Sequence, residues 1–297
     1  MKIRNLFLIV IVLIVLVSCK SDTNDPLAGG EMMFWKVSDD DSSVYLLGSM
    51  HFGKADFYPM AKVVEDAYRN CDLLGVEINI FDIDTEALQR SMMQNMSYND
   101  GTNLLDHISP ETTELLTSYL QTKGMDIASF QTMKPGIITS SISAMEAQKA
   151  GLIPEHGIDM HFLSKANQDG KQIVEFESID SQIEMLFGDE EIAEGLLYST
   201  LKEVKDFKAV LDSLATIWQT GDAYAMNKML TTAETEEEAK YMENLFGERD
   251  MKMTEKIEAM LAENKAAFII LGAGHYVNEN GIINRLAETN KYEIIKY

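Results

Sequence analysis

Two glycine–histidine turns near opposite ends of this chain are built alike. Val44-Tyr45-Leu46-Leu47-Gly48-Ser49-Met50-His51 and Phe268-Ile269-Ile270-Leu271-Gly272-Ala273-Gly274-His275 each run apolar to a glycine and place a histidine three residues later. The chain has only 5 histidines in 297 residues, so a matched pair stands out. Neutral imidazole is the commonest metal ligand in proteins and the commonest general base near neutral pH. Glu77 sits in the otherwise apolar run Leu73-Leu74-Gly75-Val76-Glu77-Ile78, where a carboxylate must be paired, hydrogen-bonded or metal-bound. Glu177 closes Ile173-Val174-Glu175-Phe176-Glu177 in the same way, and Glu175 shares its side-chain parity, so pattern alone does not separate the two. Two imidazoles and one or two carboxylates suit Mn, Fe, Co or Zn, and would equally serve a metal-free acid–base site.

Such residues must be carried by strand ends, where open α/β sheets place their ligands. Residues 31–37 and 44–47 read as a hairpin around the polar turn 38–43. After His51, Pro59 and the apolar spacing of Met60, Val63, Val64 and Ala67 predict a helix, and residues 73–78 a second strand. Strand, histidine turn, helix and strand make a βαβ unit of a parallel sheet. Between about Asp84 and Gln168 the periodicity is helical and broken by Pro110, Gly124, Pro135, Gly151 and Pro154; residues 171–176 return to strand. Helices resume over 182–263, with an apolar stripe at Val204, Phe207, Leu211, Leu214, Ile217 and Trp218. The second histidine strand, a short helix near 281–288 and a closing strand over 293–297 follow. The expected architecture is an α/β domain over residues 31–297, with a mixed, largely parallel central sheet flanked by helices and a large helical insertion. Met92, Met93 and Met96 read as core filling, or as an adaptable groove for peptides. His107, His156 and His161 read as non-ligands.

Composition narrows the partners. Against 25 basic residues stand 48 acidic ones, a formal charge of −23 that repels a phosphate backbone and argues against nucleic acid. At the N-terminus, Lys2 and Arg4 precede an apolar run from Leu6 to Val17. That run is too short for a spanning helix of roughly 20 residues and suits a secretory signal over residues 1–18. Leu16-Val17-Ser18-Cys19 resembles the lipobox of bacterial lipoproteins, which implies cleavage before Cys19, lipid on its sulfur and a membrane anchor. Residues 19–30 then form a flexible polar tether. Lys20, rather than an aspartate after the lipidated cysteine, is what outer-membrane lipoproteins show; a periplasmic or surface-facing position in the cell envelope is expected. Cys71 is the remaining cysteine, so the mature chain holds no disulfide within itself and the thiol reads as buried and structural.

The ordered set of His51 with Gly48, Asp72-x-x-x-x-Glu77, Phe176-Glu177-Ser178-x-x-x-Gln182, Arg249, and Gly272-x-Gly274-His275 with Gly281 resembles the TraB/GumN family. That family includes bacterial proteins connected with pheromone shutdown and the animal TIKI proteins, metal-dependent peptidases acting on Wnt; erythromycin esterases and a haem-binding lipoprotein group are more distantly similar. The resemblance implies a catalytic site of His51, Glu77 and His275 with Glu177 and Arg249 alongside, and a divalent metal on His51, Glu77 and His275. It gives Arg249 a substrate carboxylate or an oxyanion to hold, against the alternative of a surface salt bridge, and makes Asp159 in Gly157-Ile158-Asp159 a helix cap. The chain departs from the family's usual glycine at Asn278 and usual asparagine at Asp250. The function expected is a lipid-anchored, metal-dependent hydrolase acting on a peptide or small-molecule substrate. The rivals are a metal-free His/Glu hydrolase, with His51 as base, and a non-catalytic peptide- or haem-binding lipoprotein.

Overall fold

The computed structural model of this protein describes residues 25–187, 189–233 and 235–297. The expected signal segment and Cys19 lie outside the described residues. Six strands form one sheet: β1 (Phe34–Ser38), β2 (Ser43–Ser49), β3 (Leu73–Val76), β4 (Gln172–Glu175), β5 (Ala267–Gly272) and β6 (Glu293–Lys296), in the order β4-β3-β5-β2-β1-β6. β4, β3, β5 and β2 are mutually parallel, whereas β1 pairs antiparallel with both β2 and β6. The chain is thus of the α/β class expected, with a largely parallel sheet among many helices. The central strands read as unbroken apolar runs because both faces are covered: every residue of β3, and Ala267 through Leu271 of β5, is buried.

The crossover from β2 to β3 runs through the Lys62–Asn70 helix, which buries Val64, Ala67 and Tyr68 against the sheet. Pro59 precedes this helix by three residues rather than opening it. β5, late in sequence, inserts between β2 and β3. This brings the two histidine turns onto neighbouring parallel strands, with Gly272 at the end of β5 opposite Ser49 of β2. The Gly247–Ala262 helix feeds β5 and buries Asp250, Met253, Thr254, Ile257, Met260 and Leu261, one face at helical spacing.

The helical segments between β3 and β5 carry a second apolar cluster of their own, including Leu104, Leu116, Leu120, Ile138, Ile142 and Leu197. Met92 and Met93 are exposed on the Thr85–Met96 helix, so neither fills a core. Of the tether expected over 19–30, residues 25–30 are described, and they pack against the domain. Leu27 is buried, the Trp35 indole donates to Pro26 O, and Tyr297 O accepts from Glu31 N, which fixes residues 25–30 and the following turn against β1 and β6. Cys71 is buried, and burial pushes its thiol pKa up to about 12, as befits an inert structural cysteine. Among the described residues, no helix is long and apolar enough to cross a membrane.

Candidate active site at the carboxyl edge of the sheet

The parallel strands deliver their last and following residues to one edge in sheet order: Glu177 after β4, Glu77 after β3, Gly272 at the end of β5 with His275 beyond it, and His51 after β2. Backbone pairing continues past β3 and β4, where Phe176 N donates to Val76 O and Glu177 N to Glu77 O, so the two glutamates leave the sheet side by side. The centre of the arrangement is Gly272. A Cβ there would stand 3.3 Å from Glu77 Oε1, 3.6 Å from His275 Cδ2 and 4.0 Å from His51 Nε2. A side chain at 272 would therefore occupy the space that the three groups face. Gly274 answers a different need, since a Cβ on it would strike the Phe246 ring that packs edge-on against His275.

Each histidine is held by a carboxylate on its Nδ1. His51 Nδ1 lies 2.9 Å from Asp159 Oδ2, and Asp159 Oδ1 accepts from the Ser49 hydroxyl at 2.7 Å. Asp159 is therefore not the helix cap that was expected: the Ile158–Asp169 helix is capped by Gly157 without a side-chain bond, and Asp159 in its first turn turns to the histidine instead. Two close backbone approaches lock this contact. A Cβ on Gly53 would lie 1.9 Å from His156 O, and one on Gly157 would lie 2.2 Å from His51 O. The charge of Asp159 raises the His51 pKa to about 10, against the opposing effect of desolvation. With 61% of its side chain accessible, the ring also meets water, which screens that pair. Burial works to raise the Asp159 carboxyl, but His51 and the Ser49 hydroxyl outweigh it and hold it below its ordinary value.

On the other side, His275 Nδ1 lies 2.5 Å from Asp250 Oδ1, with both residues buried. Asp250 Oδ2 accepts from Asn278 Nδ2, which also donates to Gly274 O. Asp250 and Asn278 thus bond to each other and support the second histidine together. Burial lifts the Asp250 carboxyl above its usual range despite the His275 contact. With Nδ1 engaged on both rings, Nε2 is the atom each has left for chemistry, as in histidines oriented by a carboxylate for a metal or a proton.

Glu77 is buried and doubly anchored: Gly272 N donates to its Oε1 at 2.7 Å and Gln182 Nε2 to its Oε2 at 2.9 Å. Its Oε1 stands 3.8 Å from His275 Nε2. Glu177 receives the fork of Arg249, Nε to Oε1 and Nη2 to Oε2, both at 2.6 Å, and Gln182 Nε2 at 3.0 Å. Burial raises the Glu177 carboxyl, but the guanidinium wins and keeps it below the usual range. Arg249 Nη1 donates to Leu245 O, and its Nη2 lies 3.7 Å from Glu77 Oε2. Every nitrogen of Arg249 is thus committed within the protein in a largely buried ion pair, not on a surface salt bridge. Glu175 is exposed, takes Asn79 N at 2.7 Å, and stands apart from this network. His107 stacks on Tyr98 and His161 packs on Tyr58 and Phe162, away from the strand ends.

The donors around Gly272 (two imidazole Nε2 atoms and a carboxylate oxygen) are those a divalent transition ion takes. Among the described residues, no three His, Cys, Asp or Glu groups already stand at the spacing of a coordination shell. The donor chemistry fits an ion, and the spacing requires the side chains to close on it. Asp159, Asp250, Gln182 and Asn278 complete the site that Glu77, Glu177, Arg249 and the two histidines begin.

Fold and site define an α/β protein with a histidine–carboxylate centre at the carboxyl ends of parallel strands. This chain belongs to the TraB/PrgY/gumN family, whose profile matches residues 33–293. It is similar to the uncharacterized protein YbaP of Escherichia coli (strain K12), 26% identical over 80% of this chain and 85% of that one, and equally to YbaP of Shigella flexneri. An uncharacterized protein of Treponema pallidum (strain Nichols) is 23% identical over 86% of this chain and 80% of its own length. No solved structure matches.

Proposed function

We propose that this protein is a metal-dependent hydrolase of peptide bonds, held in a bacterial cell envelope by lipid on Cys19. The observation that carries the reading is the pair of carboxylate-fixed histidines: His51 Nε2, the edge of the His275 ring and Glu77 Oε1 border one space above Gly272, and His275 Nε2 lies 3.8 Å from that carboxylate oxygen. His51, His275 and Glu77 would hold the ion, which when bound lowers the pKa of water and polarises a carbonyl. Asp159 and Asp250 set which imidazole nitrogen is presented. Arg249 and Gln182 tie Glu177 down, so Glu177 serves as the buried counter-charge of Arg249 and not as a base. Glu77, with a single hydrogen bond on each oxygen, is then the carboxylate of the pair that keeps a lone pair free on both, with Oε1 at the Gly272 space. The test is metal content and hydrolysis of a peptide mixture, measured on the wild type and on His51→Ala with His275→Ala. Loss of the ion and of turnover together is the expected result; a double variant that keeps its metal refutes the assignment.

A second reading has one observation in its favour: the Asp159 carboxylate 2.9 Å from Nδ1 favours the imidazolium form of His51 and raises its pKa to about 10. In a metal-free hydrolase, His51 would then polarise the carbonyl by donating from Nε2 and Glu77 would take the proton from water, the reverse of the base role given to His51 above. Turnover that survives exhaustive chelation selects this reading.

A further inference from the structure

Beside the Gly272 space opens a cavity of about 270 Å³. Among the described residues, its ionisable lining groups are His51, Glu77 and Asp159, which are already engaged in the network described. The rest of the wall is almost wholly apolar: Val76 at the end of β3 with Ile78 and Ile80 just beyond it, Met160 and Leu163 on the Ile158–Asp169 helix, and Ile179 at the start of the Ile179–Phe187 helix. We propose that this cavity is a specificity pocket for one large uncharged, apolar side chain of the substrate, next to the bond that is cut. The inference rests on the reading of the Gly272 site as the place where a peptide bond is held.

Three observations support it. The volume lies just below the range of roughly 300–1,000 Å³ typical of small-molecule sites, which is room for a side chain and its peptide unit rather than a folded ligand. Three separate elements contribute the apolar wall, and a charged side chain placed there would find no counter-ion that is not already paired. Ile80 of the wall is 46% exposed and the next residue along the chain, Phe81, is 52% exposed, large apolar surface that folding alone leaves uncovered. An apolar residue entering from solvent would cover it.

The experiment compares two blocked peptides, acetyl-Ala-Leu-Ala amide and acetyl-Ala-Asp-Ala amide, with a lysine version as a third probe. Binding to the mature wild-type protein is measured by NMR titration, and cleavage by mass spectrometry. The leucine peptide is expected to bind roughly ten- to a hundredfold more tightly than the aspartate one, the range for burying one such side chain. Met160→Glu should abolish that preference and favour the lysine peptide, and Ile80→Glu, at an exposed position that does not threaten folding, should weaken it. Equal affinity for the leucine and aspartate peptides, no binding of any of them, or a leucine preference untouched by both variants overturns the proposal. Selective binding that the variants shift, without cleavage, upholds the pocket and refutes the hydrolase reading. Cleavage without side-chain preference does the opposite.

Discussion

Replacing Glu77 by glutamine separates a chemical role from a structural one. The wild-type carboxylate accepts Gly272 N on one oxygen and Gln182 Nε2 on the other. Glutamine brings a single acceptor and an amide nitrogen, so one of those buried donors must face another donor. Gln182 cannot resolve the conflict by turning its amide, because its Nε2 also donates to Glu177 and a carbonyl in that place would oppose the carboxylate. One unsatisfied buried donor costs about 1–3 kcal/mol. The loss stays below the roughly 3–5 kcal/mol of a broken buried ion pair, since Arg249 keeps both oxygens of Glu177. At about 2–4 °C per kcal/mol for large domains, the melting temperature of Glu77→Gln should fall by several degrees. Hydrolysis of a cleavable peptide should fall by about 10²-fold or more if Glu77 is a base or a ligand. Thermal unfolding and turnover are read on one preparation. Full activity with a lowered melting point places Glu77 in the scaffold. An unchanged melting point refutes the hydrogen-bond account itself.

Gly272→Ala puts a methyl 3.3 Å from Glu77 Oε1 at a position whose backbone tolerates alanine, so stability should change by less than about 1 kcal/mol while metal binding and turnover collapse; retained activity would show that the reaction space lies elsewhere. Because the folded pKa of His51 is raised, the stability it draws from Asp159 is present in full below its unfolded value of about 6.5 and is lost as pH climbs through about 10; the depressed Asp159 carboxyl loses its share as pH falls below about 3.9. The His51 ring of metal-free protein should accordingly titrate near 10 by NMR and drop toward about 6.5 in Asp159→Asn, and a wild-type ring titrating near 6.5 contradicts the pairing. The intact mass of protein extracted from membranes should show residues 1–18 removed and lipid on Cys19; an unmodified Cys19 would remove the anchor.

The centre of the sheet was legible because β2, β3 and β5 are largely buried and read as apolar runs, and Glu77 and Glu177 stood out as carboxylates just beyond strands. Asp250 carried a usable signal that periodicity offers: it lies on the same helical face as Met253, Ile257 and Met260, so its carboxylate had to be buried and partnered. Asp159 carried less. Its position after Gly157 resembles a helix start, and only the fold shows that the carboxylate reaches a histidine 108 residues away. The choice between Glu175 and Glu177 was closed to pattern because both have the same parity, and it is decided by Arg249, which arrives from a helix 72 residues beyond Glu177. Within the expected tether, polar composition hid that Leu27 enters the core and that the C-terminal end of the chain holds residues 29–32.

The duplicated turn has a physical consequence that neither turn has alone. β2 and β5 are neighbours and parallel, so two strands ending in the same glycine-to-histidine spacing bring their histidines to one side of the same sheet edge. Each turn recruits its own aspartate, from a helix downstream of the first and upstream of the second, and both aspartates bind Nδ1. A lone histidine with a free choice of tautomer could present either nitrogen. Two histidines fixed through Nδ1 present Nε2 to a shared space, with Glu77 clamped on the third side by the backbone of Gly272. The glycine that ends β5 therefore leaves the space empty and, through its N–H, orients the carboxylate that borders it, which makes Gly272, rather than either histidine taken singly, the centre of the candidate site.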